Sequence, residues 1–176
     1  RLVPALAAAM NAAGFALTLY VFYPGIMNYD ARYVYVHIAK GHYGDWQSPV
    51  MTWLWKTIDP LGPGPASMFL LIAALYWLGF GILSHALARQ SLALAIALPL
   101  LALTPPLFVL VGVIWRDVLM AASWLLAAAL TFAATGRSGR PNMLQAIALA
   151  MVVFGVLIRP NALAAAPALI AYVLWP

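Results

Sequence analysis

An all-α integral membrane protein, a bundle of about five or six transmembrane helices, is the fold predicted from three observations. Hydrophobic residues make up 66% of the chain and charged residues only 7%. A soluble domain carries about 25% charged residues, so this chain has too few to cover a water-facing surface. Apolar runs close to the roughly 20 residues that cross a hydrocarbon core recur along it. The charged residues fall between those runs.

The first run, Leu2–Tyr23, is broken only by Asn11. Ala66–Ala88 is the second, with His85 near its end. Ser91–Ile114 is the third and contains Pro99 and Pro105-Pro106, which predict a kink near its outer end. Proline is tolerated in such helices where neighbours satisfy the freed carbonyls. Val118–Thr135 is the fourth. Met143–Ile158 is short, with Gln145 as its polar break, and Ala162–Trp175 begins a sixth. Residues 1–176 therefore read as one transmembrane domain, with residues 24–65 as a long outer loop. The chain opens on Arg1 and ends inside an apolar run, which reads as a piece of a longer protein. The first run is too long for a signal peptide, and no small-x-small site follows it.

Cysteine is absent, which excludes disulfides and thiolate metal sites. The net charge of +5 comes from nine Lys and Arg against four Asp. These cations are scattered singly, without the stripe that a nucleic acid backbone needs. Alternating spans put Arg1, Arg89, Arg137 and Arg140 on one side. Arg32, Lys40, Lys56, Arg116, Arg159 and all four Asp fall on the other. Counting cations alone does not decide orientation. Short, purely basic loops on the Arg1 side favour a cytoplasmic N-terminus.

The outer loop carries the chemistry. It is far longer than a simple connection needs. It holds Asp30, Asp45 and Asp59, His37 and His42, and many Tyr and Trp suited to a membrane interface. On a helix of about 100° per residue, Asp30, Tyr33, His37 and Lys40 of Tyr29–Lys40 share one arc of about 80°. Ala31, Val34, Tyr35 and Ile38 take the opposite face. Asn28 or Asp30 suits the N-cap, and Gly41 the C-terminal stop. Ser48-Pro49 starts a second interfacial helix. Asp59 before Pro60 and Asp45 beside Gly44 suit turns. His37 and His42 suit either interfacial hydrogen bonding or ligand binding.

Two further outer sites follow. Asp117 of Trp115-Arg116-Asp117 suits either a helix cap or a functional acid, free to meet Asp30 because neighbouring helical residues diverge. Arg159-Pro160-Asn161 lies on the same side, and ionisable residues at such positions are functional candidates.

These residues resemble a family. Asp30-x-Arg32-Tyr33, then Lys40-Gly41-His42-Tyr43-Gly44-Asp45-Trp46 and Pro49, are similar to the first outer loop of GT-C glycosyltransferases, nearest to protein mannosyltransferases and lipid A aminoarabinose transferases. Arg116-Asp117 stands where that family carries its second loop acid. Arg159-Pro160-Asn161 resembles an Arg-x-Asn after the fifth span of related enzymes. Ala31 departs from the family's frequent Glu, and Ser48-Pro49 from its Lys-Pro-Pro. The resemblance implies transfer of a sugar from a polyprenyl phosphate or diphosphate carrier to a glycan, lipid or protein acceptor. The work would be done at the extracytoplasmic face of a plasma membrane such as the bacterial inner membrane. It implies Asp30 and Asp117 as catalytic carboxylates, Asp30 as the base that activates the acceptor and Asp117 as a second orienting or metal-binding acid. Arg159, Arg116, Lys40, Arg32, His37 and Asp45 would bind substrate and donor phosphate, with Arg159 ranked first. A divalent ion, Mg or Mn, on Asp30 and Asp117 is compatible with that chemistry but not required by it.

The alternative is a transporter or flippase for a lipid-linked or anionic substrate. A transporter places charged groups near the midplane of its spans. Here the expected spans hold no Asp, Glu, Lys or Arg, which favours chemistry at the membrane edge.

Overall fold

The computed structural model describes residues 2–41, 47–88, 90–134 and 143–175. Its α-helices are α1 (Leu2–Phe22), α2 (Tyr29–Lys40), α3 (Pro49–Ile58), α4 (Ala66–Leu87), α5 (Leu92–Ala102), α6 (Pro105–Val111), α7 (Arg116–Ala134), α8 (Met143–Ile158) and α9 (Ala166–Leu174). Short 3-10 turns occupy Asp59–Leu61 and Pro160–Ala164. Two short strands, β1 (Ile26–Met27) and β2 (Val113–Ile114), pair in parallel.

The chain is all-helical in architecture, but fewer helices qualify as spans than the apolar runs predict. Among the described residues α1, α4 and α7 are long and apolar enough to cross a membrane, and α5 with α6 makes a fourth only as a bent pair. Two physical reasons account for the difference from five or six. The expected span Ser91–Ile114 is two helices meeting at 58°, because Pro105 offers no N–H and holds Thr104 extended at ψ 143°. The fifth run is short: the 16 residues of α8 reach about 24 Å, against a core of about 30 Å. The fourth run starts earlier than expected, at Arg116, so Arg116 and Asp117 are the first residues of α7.

Three prolines interrupt this region, and each freed carbonyl finds a donor. Pro99 cannot donate to Ala95, and the Ser84 hydroxyl donates to that carbonyl instead. Pro106 cannot donate to Ala102, and the Tyr76 hydroxyl does so at 2.6 Å. Pro105 cannot donate to Leu101, which accepts from the Thr104 hydroxyl at 2.7 Å. Unpaired carbonyls in apolar surroundings are costly, so the broken helix depends on these side chains. Tyr76→Phe and Ser84→Ala are each expected to cost about 1–3 kcal/mol. That lowers the apparent melting temperature by about 2–4 °C per kcal/mol. Thr57→Ala, whose hydroxyl serves Trp53 on an exposed face, is the control. Thermal unfolding in detergent checks this, and a Tyr76→Phe shift no larger than that of Thr57→Ala contradicts it.

The core gathers at the Asp30 end. Trp55, Met51, Met68, Phe69, Ile72, Ile114, Leu119 and Ile158 are almost fully buried there. The other end packs Leu126, Ala127 and Leu130 of α7 against Ala148 and Val152 of α8 and Val173 of α9.

Two ties assemble the Asp30 end. The β1–β2 pairing sets Ile26 against Val113 and Met27 against Ile114. Gly25 precedes it at φ +109°, and a Cβ there would lie 2.7 Å from the Cβ of Phe69. A Cβ on Gly112 would strike the Phe22 ring. Only glycine lets these backbones approach so closely. The second tie is the Ser48 hydroxyl, which donates to the Leu157 carbonyl at 2.8 Å, across 109 residues of sequence. The segments around residues 30, 116 and 159 therefore meet at one end of the bundle.

Candidate functional site

Helix α2 forms as its pattern predicts. Its N-cap is Asn28, whose Oδ1 accepts from the Ala31 N–H at 2.8 Å. Asp30 stands in the first turn and is not the cap. An acid there is favoured by the helix dipole, and its carboxylate has no capping duty. Gly41 ends the helix in the left-handed region at φ 69° and ψ 14°. Ala31 and Val34 are buried, and Tyr35 and Ile38 pack against the same core. On the polar face Asp30, Tyr33 and His37 are partly exposed and Lys40 is exposed. Ser48 caps α3 and Pro49 opens it. Asp59 accepts from the Gly64 N–H at 3.1 Å, which is the turn role expected of it.

The acids and cations divide between two places at this end of the bundle. Asp30 and Arg116 line one small void with Gln47, Met51, Ile114 and Trp115. The β1–β2 tie explains this meeting, because Asp30 follows β1 and Arg116 follows β2 closely in sequence. Among the described residues the Nε of Arg116 is buried without a hydrogen-bond partner, a costly state for a charged donor. Asp117 turns away from Asp30 and accepts from Arg159 Nε at 2.9 Å. Both side chains are partly exposed, at 26% and 31%. Neighbouring positions on α7 thus face two different places, Arg116 the void with Asp30 and Asp117 the Arg159 side chain, as helical geometry requires.

An apolar crevice of about 360 Å³ opens beside Asp117. Tyr76, Phe80, Leu107, Leu110, Val118 and Ala121 line it, and Trp115 separates it from the Asp30 void. Its form suits a hydrocarbon chain whose polar end reaches Asp117 and Arg159.

The other predicted residues lie apart from this pair of sites. Arg32 and Lys40 are exposed. His37 Nδ1 lies 2.8 Å from the Tyr33 carbonyl, to which it donates, and its ring stacks on Tyr33 at 4.0 Å. Asp45 and His42 fall outside the described residues. No group of three or more His, Cys, Asp or Glu fit to hold a metal ion occurs among the described residues. The two acids named for a divalent ion are divided, Asp117 bonded to Arg159 and Asp30 in the void with Arg116.

Gln47, only 5% exposed, was not marked by any local pattern. Its one signal is position, directly before the Ser48-Pro49 helix start.

The fold and the site define a class: an all-helical chain with helices able to cross a membrane and with ionisable groups gathered at one end. No family model matches the chain, and no curated protein or solved structure matches it.

Proposed function

We propose that this chain belongs to the membrane module of a glycosyltransferase that takes its sugar from a polyprenyl phosphate or diphosphate carrier. The observation that carries the reading is the meeting of two carboxylates, two guanidinium groups and an apolar crevice at one end of the bundle. A lipid-linked donor asks for those three things together. The crevice takes the nearest part of the hydrocarbon chain. Arg116 and the Nη groups of Arg159 hold the phosphate through charge-assisted bonds. Asp117 orients Arg159 toward it.

The reaction then balances as follows. An acceptor hydroxyl or amine attacks the anomeric carbon. Its proton passes to the Asp30 carboxylate. The bond from the anomeric carbon to the phosphate oxygen breaks, and its electron pair leaves on that oxygen. The guanidinium groups stabilise the departing charge. The resemblance of the motifs around Asp30, Arg116 and Arg159 supports the same reading, as does the absence of charged residues from the interiors of α1, α4 and α7. The experiment supplies polyprenyl-phosphate-linked sugars to the protein in vesicles and follows release of the carrier phosphate.

A further inference from the structure

We infer that the outward stripe of α2, made of Tyr29, Arg32, Val36 and Lys40, docks on anionic lipid headgroups at the edge of the membrane. At about 100° per residue these four fall within one arc of about 80°. All four are exposed, Tyr29 at 81% and Val36 at 48%. None of them lines the void with Asp30 or the crevice beside Asp117. Arg32 and Lys40 thus take no part in the paired sites.

The fold sets the level of this helix. β1 follows α1, and its partner β2 leads directly into α7. Both α1 and α7 are long and apolar enough to cross a membrane, so the pairing marks where two spans end. Tyr29 opens α2 directly after β1. Half-way along α2, the Tyr35 hydroxyl accepts from the Gly64 N–H at 2.9 Å. Gly64 lies just ahead of α4, a third helix of spanning length. α2 is therefore held to the ends of spans at its start and at its middle, and it lies along the membrane edge. Tyr20 and Tyr23 at the close of α1 are 88% and 61% exposed, which suits an aromatic belt at that level.

The chemistry of the stripe fits the headgroup layer. Tyr29 and Val36 present apolar surface that gains by leaving water, and Arg32 and Lys40 offer charge that gains by meeting phosphate. Open water leaves the first pair unsatisfied, and hydrocarbon rejects the second. The one acid of α2, Asp30, lies about 120° round the helix from the centre of the stripe. It does not face the two cations, so the stripe favours anionic over zwitterionic lipid, by about fivefold for each cation.

The test places the chain in vesicles of phosphatidylcholine and phosphatidylglycerol. A trace of one photoactivatable lipid is added, either phosphatidylglycerol or phosphatidylcholine, with its diazirine beside the headgroup. After irradiation, labelled residues of α2 are read by mass spectrometry against labelling of α1. The phosphatidylglycerol probe is expected to label α2 in excess. Arg32→Gln and Lys40→Gln should each lower that excess about fivefold, and the double variant should bring the probes level. Equal labelling of α2 by the two probes in the unaltered chain overturns the proposal, and that comparison needs no variant to fold. An excess that survives the double variant overturns it too. So does labelling that reaches α1 but not α2, which leaves the stripe to water or to an acidic protein.

Discussion

Asp30→Asn is expected to leave a folded protein that still binds the lipid donor but transfers sugar about 10²–10⁴ times more slowly, the usual share of a general base. The structure makes this substitution informative. The cap of α2 is Asn28, through its own bond to Ala31, so the change at Asp30 does not touch it. The amide nearly matches the carboxylate in shape. What is lost in stability is the favourable interaction of a first-turn acid with the helix dipole, about 0.3–1 kcal/mol. A residue that only completed a helix end would show full turnover as Asn. Turnover is measured on purified protein in vesicles beside donor binding. An Asp30→Asn rate near that of the unaltered chain would falsify the catalytic role.

Arg116→Ala is expected to weaken binding of polyprenyl phosphate by roughly 10–150-fold. One charge-assisted hydrogen bond is worth about 1.5–3 kcal/mol, and each 1.4 kcal/mol is about tenfold. Arg116 is the clearer test because, among the described residues, removing it leaves no ion-paired acid behind. Arg159, which the motif alone ranks first, is already bonded to Asp117. Arg159→Ala removes a phosphate contact and also leaves Asp117 unpaired beside an incoming anion. Binding should therefore fall further than with Arg116→Ala, and Asp117→Asn placed on top should restore part of it. The check is titration with polyprenyl phosphate against polyprenol. Equal affinity of Arg116→Ala and the unaltered chain for the phosphate would remove Arg116 from the site.

Much of the local structure was legible in the residues. Hydrophobic length located α1 and α4 to within a residue, and α7 to within two. Periodicity divided α2 into a buried face with Ala31 and Val34 and an open face with Tyr33 and His37. Capping chemistry marked Gly41 and Ser48 and narrowed the cap of α2 to Asn28 or Asp30, of which the structure uses Asn28. Each of these is a short-range effect, decided within about one helical turn. The failures were of another kind. Pro105-Pro106 did mark the bend where α5 and α6 meet, but not its size of 58°, and apolar content ranked α8 as a span although its 16 residues are too few to cross. The meeting of Asp30 with Arg116 rests on β1 and β2, two residues each, too short to leave an alternating pattern. The bond from Arg159 to Asp117 joins two helix ends far apart in sequence. Only the alternation of spans hinted at it, by putting both residues on one side. Asn11 stood out as the polar break in the first run, but its burial comes from packing against α4.

The measurement that tests the central claim most directly follows one labelled polyprenyl-phosphate-linked sugar in sealed vesicles containing the protein. Release of carrier phosphate and movement of the intact lipid across the bilayer are recorded together. Glycosyl transfer predicts that free carrier phosphate accumulates with time when acceptor is present, that Asp30→Asn stops it, and that the intact donor stays in its own leaflet. Translocation of the intact donor without any release of carrier phosphate would contradict the account and point to a transporter.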